Sequence, residues 1–178
     1  MQAEPRDTLR KFFAGISEQT FQCQLGVADP PLTDYIADLL VRFVRSDAVY
    51  RIRNLTGQPL AQVTTMMVEA EKRIGEAKKD VHRHIGDFTL FWAGVYPETL
   101  RRLQSASKSD QLVDYCQQGK RSYWIASTIA ADEDTEDNAV LSRLSREFEL
   151  CAYGLREVRR EWERRDSDGD TPSPILLN

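Results

Sequence analysis

What this sequence has little of narrows it first. Its three cysteines, Cys23, Cys116 and Cys151, are odd in number and far apart, which excludes a disulfide framework and a CxxC metal site. Each falls within a helical pattern and reads as a small core residue of a reducing compartment. No stretch reaches the ~18 consecutive apolar residues of a membrane helix, and the opening MQAEPRDTLRKFF lacks the apolar centre of a secretory signal. A cytoplasmic chain without membrane association is expected. Positive charge is also short: 24 Lys and Arg against 28 Asp and Glu leave a net charge of -4. A grip on a phosphate backbone needs a clustered basic surplus, so nucleic acid is not an expected partner. GxSxG, glycine-rich phosphate-loop and HExxH patterns are missing too, which removes the common nucleophilic and nucleotide-binding signatures.

What is present is helical pattern. Leu60, Val63, Met67, Ala70, Ile74, Ala77, Val81, His84, Phe88, Phe91 and Val95 alternate steps of three and four, a heptad stripe. The unbroken phase predicts one helix from Leu60 to Val95, about 54 Å long at 1.5 Å per residue, with Gly75 and Gly86 as places to bend. From Ile85 onward Leu90 and Trp92 make it apolar on more than one side, the mark of a helix buried all round. A second stripe, Leu141, Leu144, Phe148, Cys151, Leu155, Val158 and Trp162, keeps the same rhythm. The expected fold is all-α, an up-down helical bundle of about six helices with two long heptad-patterned helices. One helical domain should cover residues 1–166, with 167–178 a polar, proline-bearing tail. There, Asp166, Asp168 and Asp170 imitate a calcium loop, but Thr171 stands where glycine is required and Leu177 where a glutamate is.

The shorter segments follow from local chemistry. Leu9, Phe12, Phe13 and Ile16 share a face behind Asp7 or Thr8 as a cap, and Asp29-Pro30-Pro31 opens a helix carrying Leu32, Ile36, Leu39 and Phe43. On that helix Asp38 is placed to pair with Arg42, and near the end of the chain Glu161 with Arg165. The stretch Ala48 to Arg53 reads as a helix end or extended connection, and Asn54-Leu55-Thr56 as a turn. Ser107 with Asp110 resembles a capping box for a helix through Leu112, Cys116, Gly119, Tyr123 and Ala126. Arg159, Arg160, Arg164 and Arg165 read as a solvated helix face, diluted by Glu157, Glu161 and Glu163.

One constellation carries possible chemistry. Glu76, Asp80, His84 and Asp87 are spaced four, four and three, along one edge of a helix. Such a set can hold a divalent metal when facing helices add ligands, and Asp34 and Asp38 are the available carboxylates. The plainer expectation is a core histidine whose nitrogens bond Asp80 or Asp87. His82 falls off the stripe and is expected at the surface. Phe88, Phe91, Trp92 and Tyr96, with Met66 and Met67, read as core packing, or as the lining of an apolar-ligand pocket.

The functional expectation is a noncatalytic protein–protein interaction or scaffold protein. Its partner would be another protein or a second copy of the chain, with surplus apolar surface at Trp162 and Ile175-Leu176-Leu177 favouring a homodimer. The alternative is a metal-dependent enzyme or metal-binding bundle built on Glu76, Asp80, His84 and Asp87. No cofactor is specified by either.

Overall fold

The computed structural model describes residues 5–44, 51–54, 56–106, 108, 110–111, 113–129 and 135–168. Among them the fold is all-α, with eight α-helices: α1 (Pro5–Glu18), α2 (Pro30–Val44), α3 (Val63–Glu71), α4 (Gly75–Gly94), α5 (Pro97–Ala106), α6 (Tyr115–Thr128), α7 (Thr135–Arg146) and α8 (Phe148–Ser167). A wide π-type turn, Gln19–Gln24, extends α1. Among the described residues no helix is long and apolar enough to cross a membrane. Residues 169–178, with the apolar Ile175-Leu176-Leu177, lie outside the described residues.

The helix α4 is the axis. Every residue from His84 to Val95 is buried, because α2, α3, α5, α6 and α8 all pack against it. Apolar residues all round this half of the helix have that consequence, and burying each of Phe88 and Phe91 contributes about 1.5–3 kcal/mol. The α4–α6 contact is the most extensive, and two glycines allow it. A Cβ on Gly86 would sit 2.6 Å from the Tyr123 ring, and one on Gly119 would sit 2.4 Å from Thr89 Oγ1 and 2.5 Å from Phe148. Gly86 is therefore a close-packing position inside α4 rather than a bend.

The expected helix from Leu60 to Val95 is in fact two. It stops at Glu71, Ile74 is extended, and Gly75 takes a φ of +56° that favours glycine. Arg73 turns away to bond the Arg53 carbonyl (2.8 Å) and Glu69 (3.0 Å). Three residues of break preserve the apolar phase on both sides, which is why periodicity could not see it. Ile74 and Ala77, counted on the stripe, are exposed. The second stripe is interrupted at Glu147, between α7 and α8, yet all seven of its residues are buried.

Trp162 is among those seven, which corrects its assignment to a dimer surface. It packs edge-on against Phe13 at 5.1 Å, closing α8 over α1. Arg159, Arg160, Arg164 and Arg165 of α8 are spent within the chain. Arg159 donates to the Val95 carbonyl (2.7 Å), Glu98 and Glu163, and Glu161 receives Arg164 and the expected Arg165 (2.8 Å).

One local expectation is joined by a long-range partner. The cap of α6 is Asp114, accepting from Gln117 N at 3.1 Å, and Ser107 of the expected capping box lies outside the described residues. Asp110 reaches across to the start of α3. It accepts from Val63 N (2.8 Å), Thr64 N (3.0 Å) and Thr64 Oγ1 (2.6 Å), with Tyr115 Oη also donating to it at 2.8 Å. A carboxylate is the natural acceptor at an N-terminus with unpaired N–H groups. Burial pushes its pKa up, but these hydrogen bonds outweigh it and hold the group below the usual range. The Asn54 side chain shapes the preceding turn as expected, accepting from Thr56 N and Gln58 N.

Candidate functional site

Three charged residues interrupt the apolar run of α4 at every fourth position: Lys79, Arg83 and Asp87. That spacing lines them along one edge, which faces α2, α6 and the start of α7. Asp87 is buried, and its carboxylate is fully engaged. Tyr35 Oη donates to Oδ1 at 2.6 Å, Tyr123 Oη to the same oxygen at 2.8 Å, and Arg42 Nη2 to Oδ2 at 3.0 Å. Tyr35 Oη in turn accepts from Arg83 Nε at 3.1 Å, and the Arg42 and Arg83 guanidiniums lie 5.5 and 5.1 Å from the Tyr35 ring centre. Arg83 and Lys79 share Asp137 of α7, at 3.3 and 3.7 Å. Burial, with the Asp87 charge beside them, raises the pKa of both phenols, so they stay protonated and donate.

The expected Asp38–Arg42 pair therefore does not form. Asp38 faces outward and pairs with Arg10 at 2.8 Å, while Arg42 turns inward to the buried carboxylate, where a charged partner is worth more. Tyr35 and Arg42, seven residues apart on α2, and Lys79, Arg83 and Asp87 on α4 were the available signal for this cluster. Tyr123 carried none, being one more residue of an apolar stripe.

The four residues read as metal ligands are not brought together. Glu76 and Asp80 are exposed near the start of α4, His84 and Asp87 are buried, and Asp34 is exposed on α2. Among the described residues no three His, Cys, Asp or Glu side chains gather where they could hold a metal ion. His84 stacks on Phe43 at 5.9 Å, and its Nε2 is buried without a hydrogen-bond partner. Asp87, its expected partner, is taken by two tyrosines and an arginine.

Burial drives the His84 pKa down to about 4; Asp87 opposes the shift, and Arg51 and Arg42 add to it. The unfolded chain takes up this proton near pH 6.5 and the folded chain does not, so stability falls as pH drops from about 6.5 toward 4. Following the imidazole by NMR should show no titration of His84 between pH 8 and pH 5. A midpoint near 6.5 in the folded protein would contradict this placement.

His82 is buried, 3% exposed, not at the surface as expected. The physical reason is that α3 and α6 both pack on α4 and flank this ring. Both of its nitrogens are buried without a partner, and an unpaired buried polar group costs about 1–3 kcal/mol. The ring borders a cleft of about 230 Å³ whose other walls are Met67, Val68 and Glu71 of α3 and Gln118, Arg121 and Ile125 of α6. A shallower hollow continues from it, sharing Met67, Gln118 and Arg121. Burial lowers the His82 pKa, Lys78 adds to this, Glu71 opposes it, and Arg121 lowers it further. Glu71 has Lys78 for a counter-ion, at 3.7 Å. Val68 on the cleft wall and Trp124 on α6 are each 58% exposed, and Ile74 stands 88% exposed at the α3–α4 junction. Comparison with models of protein families, with curated proteins and with solved structures finds no match for this chain.

Proposed function

We propose that this chain is a noncatalytic interaction protein, a helical scaffold that presents the α3–α6 face to a protein partner. The observation that carries the reading is the exposure of Trp124, with Val68 and Ile74, in a chain whose other two tryptophans are buried. Large apolar side chains left in water on a rigid support are the usual anchors of an interface, and tryptophan is the most enriched among them. The support is rigid here because Tyr123, next to Trp124, is locked into the Asp87 cluster. That cluster is consistent with a structural role: Asp87 accepts from two phenols and a guanidinium, which occupies the carboxylate that a reaction would use. Three free thiols, Cys23, Cys116 and Cys151, agree with a cytoplasmic setting. Self-association is the simplest version of the reading, with Trp124 in place of Trp162 at its centre.

A photoreactive phenylalanine analogue placed at Trp124 in cells is expected to give discrete heavier adducts, a doubled chain if the partner is a second copy. The same analogue at Arg156, exposed on α8, is expected to give none. Absence of adducts at Trp124 and at Val68, together with a monomer in sedimentation at high concentration, would refute the interaction reading.

A further inference from the structure

We infer that the cleft between α3 and α6 is a binding site for a small amphipathic monocarboxylate, its carboxylate held by Arg121 and its apolar body by Met67, Val68 and Ile125. This goes beyond the protein-interaction reading: the two share Val68, but the ligand site rests on Arg121, His82 and Ile125. The shape comes first. The helices α3 and α6 pack on α4, and Asp110 and Tyr115 tie the start of α3 to the chain just before α6, so the cleft exists without a ligand. At about 230 Å³ it is smaller than the ~300 Å³ at which drug-sized pockets begin, which limits the occupant to a short chain or a single ring.

Charge decides the polarity of that occupant. Glu71 is compensated by Lys78, whereas Arg121 forms no ion pair or hydrogen bond with any described residue. The cleft therefore has one uncompensated guanidinium over an apolar wall, and a guanidinium matches a carboxylate with two parallel donors. His82 is the second, independent sign. It is a nine-tenths buried imidazole on the cleft whose nitrogens bond nothing in the protein. Met67, which lines the same cleft, is a flexible side chain, and a ligand that displaces it would bring a polar atom within reach of the ring.

The test uses octanoate as probe on the purified full chain, followed by NMR of the Met67 and Ile125 methyl groups and the His82 ring. Saturable shifts confined to these residues are expected below about 10 mM. The neutral octanamide and the cationic octylammonium should each bind about tenfold more weakly or not at all, the loss that one charge-assisted contact implies. Arg121→Ala, at an exposed position, should cause the same loss while leaving the fold intact. Ile125→Ser should weaken octanoate and octanamide alike. The proposal is overturned if octanoate produces no saturable shift, if octanamide binds as well as octanoate, or if Arg121→Ala binds unchanged. The titration reads Arg121 and Ile125 and the crosslinking reads Trp124, so failure of the one leaves the other to be judged separately.

Discussion

Replacing Asp87 by alanine is expected to cost about 3–5 kcal/mol of stability, because it takes the shared acceptor from two buried phenols and the Arg42 guanidinium. Tyr35, Tyr123 and Arg42 all direct donors at this carboxylate. Without it two phenols and a guanidinium lose that acceptor in the centre of the fold, and Arg83 and Arg42 face each other across Tyr35 with less to compensate them. Since a domain of this kind has about 5–15 kcal/mol in total, chemical denaturation should show the midpoint of the Asp87→Ala variant falling by about a fifth or more. Asp80→Ala, the other acidic neighbour of His84 in sequence, is expected to change stability by less than about 0.5 kcal/mol, since its side chain is exposed. Equal effects for the two aspartates would show that the cluster does not form as described.

The second large effect is expected where a usually favourable change reverses sign. In an exposed helix interior, glycine to alanine gains about 1 kcal/mol. At Gly119 the added methyl would sit 2.4 Å from Thr89 Oγ1 and 2.5 Å from the Phe148 ring, and at Gly86 it would sit 2.6 Å from Tyr123. Neither neighbour yields easily. Thr89 Oγ1 is tied to the Ile85 carbonyl at 2.8 Å, and Tyr123 cannot swing without leaving Asp87. Each single substitution should therefore cost about 1–3 kcal/mol by overpacking. Gly15, with nothing within 4 Å of its Cβ position, is the control at which alanine should stabilise. A rise in thermal midpoint for Gly119→Ala would mean that α4 and α6 stand further apart than described.

These two positions also show where sequence reading ends. The stripes on α4 and α8 were legible because a 3.6-residue period reports which face is apolar, and every stripe residue of α8 is buried. The period says nothing about whether the backbone continues between two apolar residues in phase. The step at Ile74 and Gly75 therefore showed only as a glycine marked as a place to bend, and not as a break between two helices. Charged residues were harder. Asp38 and Arg42 have the right spacing for a local pair, but a local pair on the surface is worth about 0.3 kcal/mol. A buried carboxylate 45 residues away along the chain is the stronger claim on Arg42. Asp110 likewise reaches across to α3. His84 was placed correctly in the core, but its partners were not, because Asp87 was shared out among helices whose packing the sequence does not state. The His82 cleft was out of reach for the same reason: an off-stripe residue is buried only if two more helices close over it.

The contact between Phe13 and Trp162 bears on how the protein is made. Synthesis runs from α1 to α8, and the two ends of the described fold meet only when the last helix has left the ribosome. Until then Phe13 and Phe21 lack their covers, since Phe21 fills the space left open by Gly154. The helix α4 follows, with Phe88 turned to the side that Tyr115 of α6 will occupy and Gly94 to the side that Leu155 of α8 will occupy. Contacts this distant in sequence slow the final closure, and transiently uncovered apolar surface is what chaperones recognise. Phe13 therefore stays uncovered on this side until Trp162 docks.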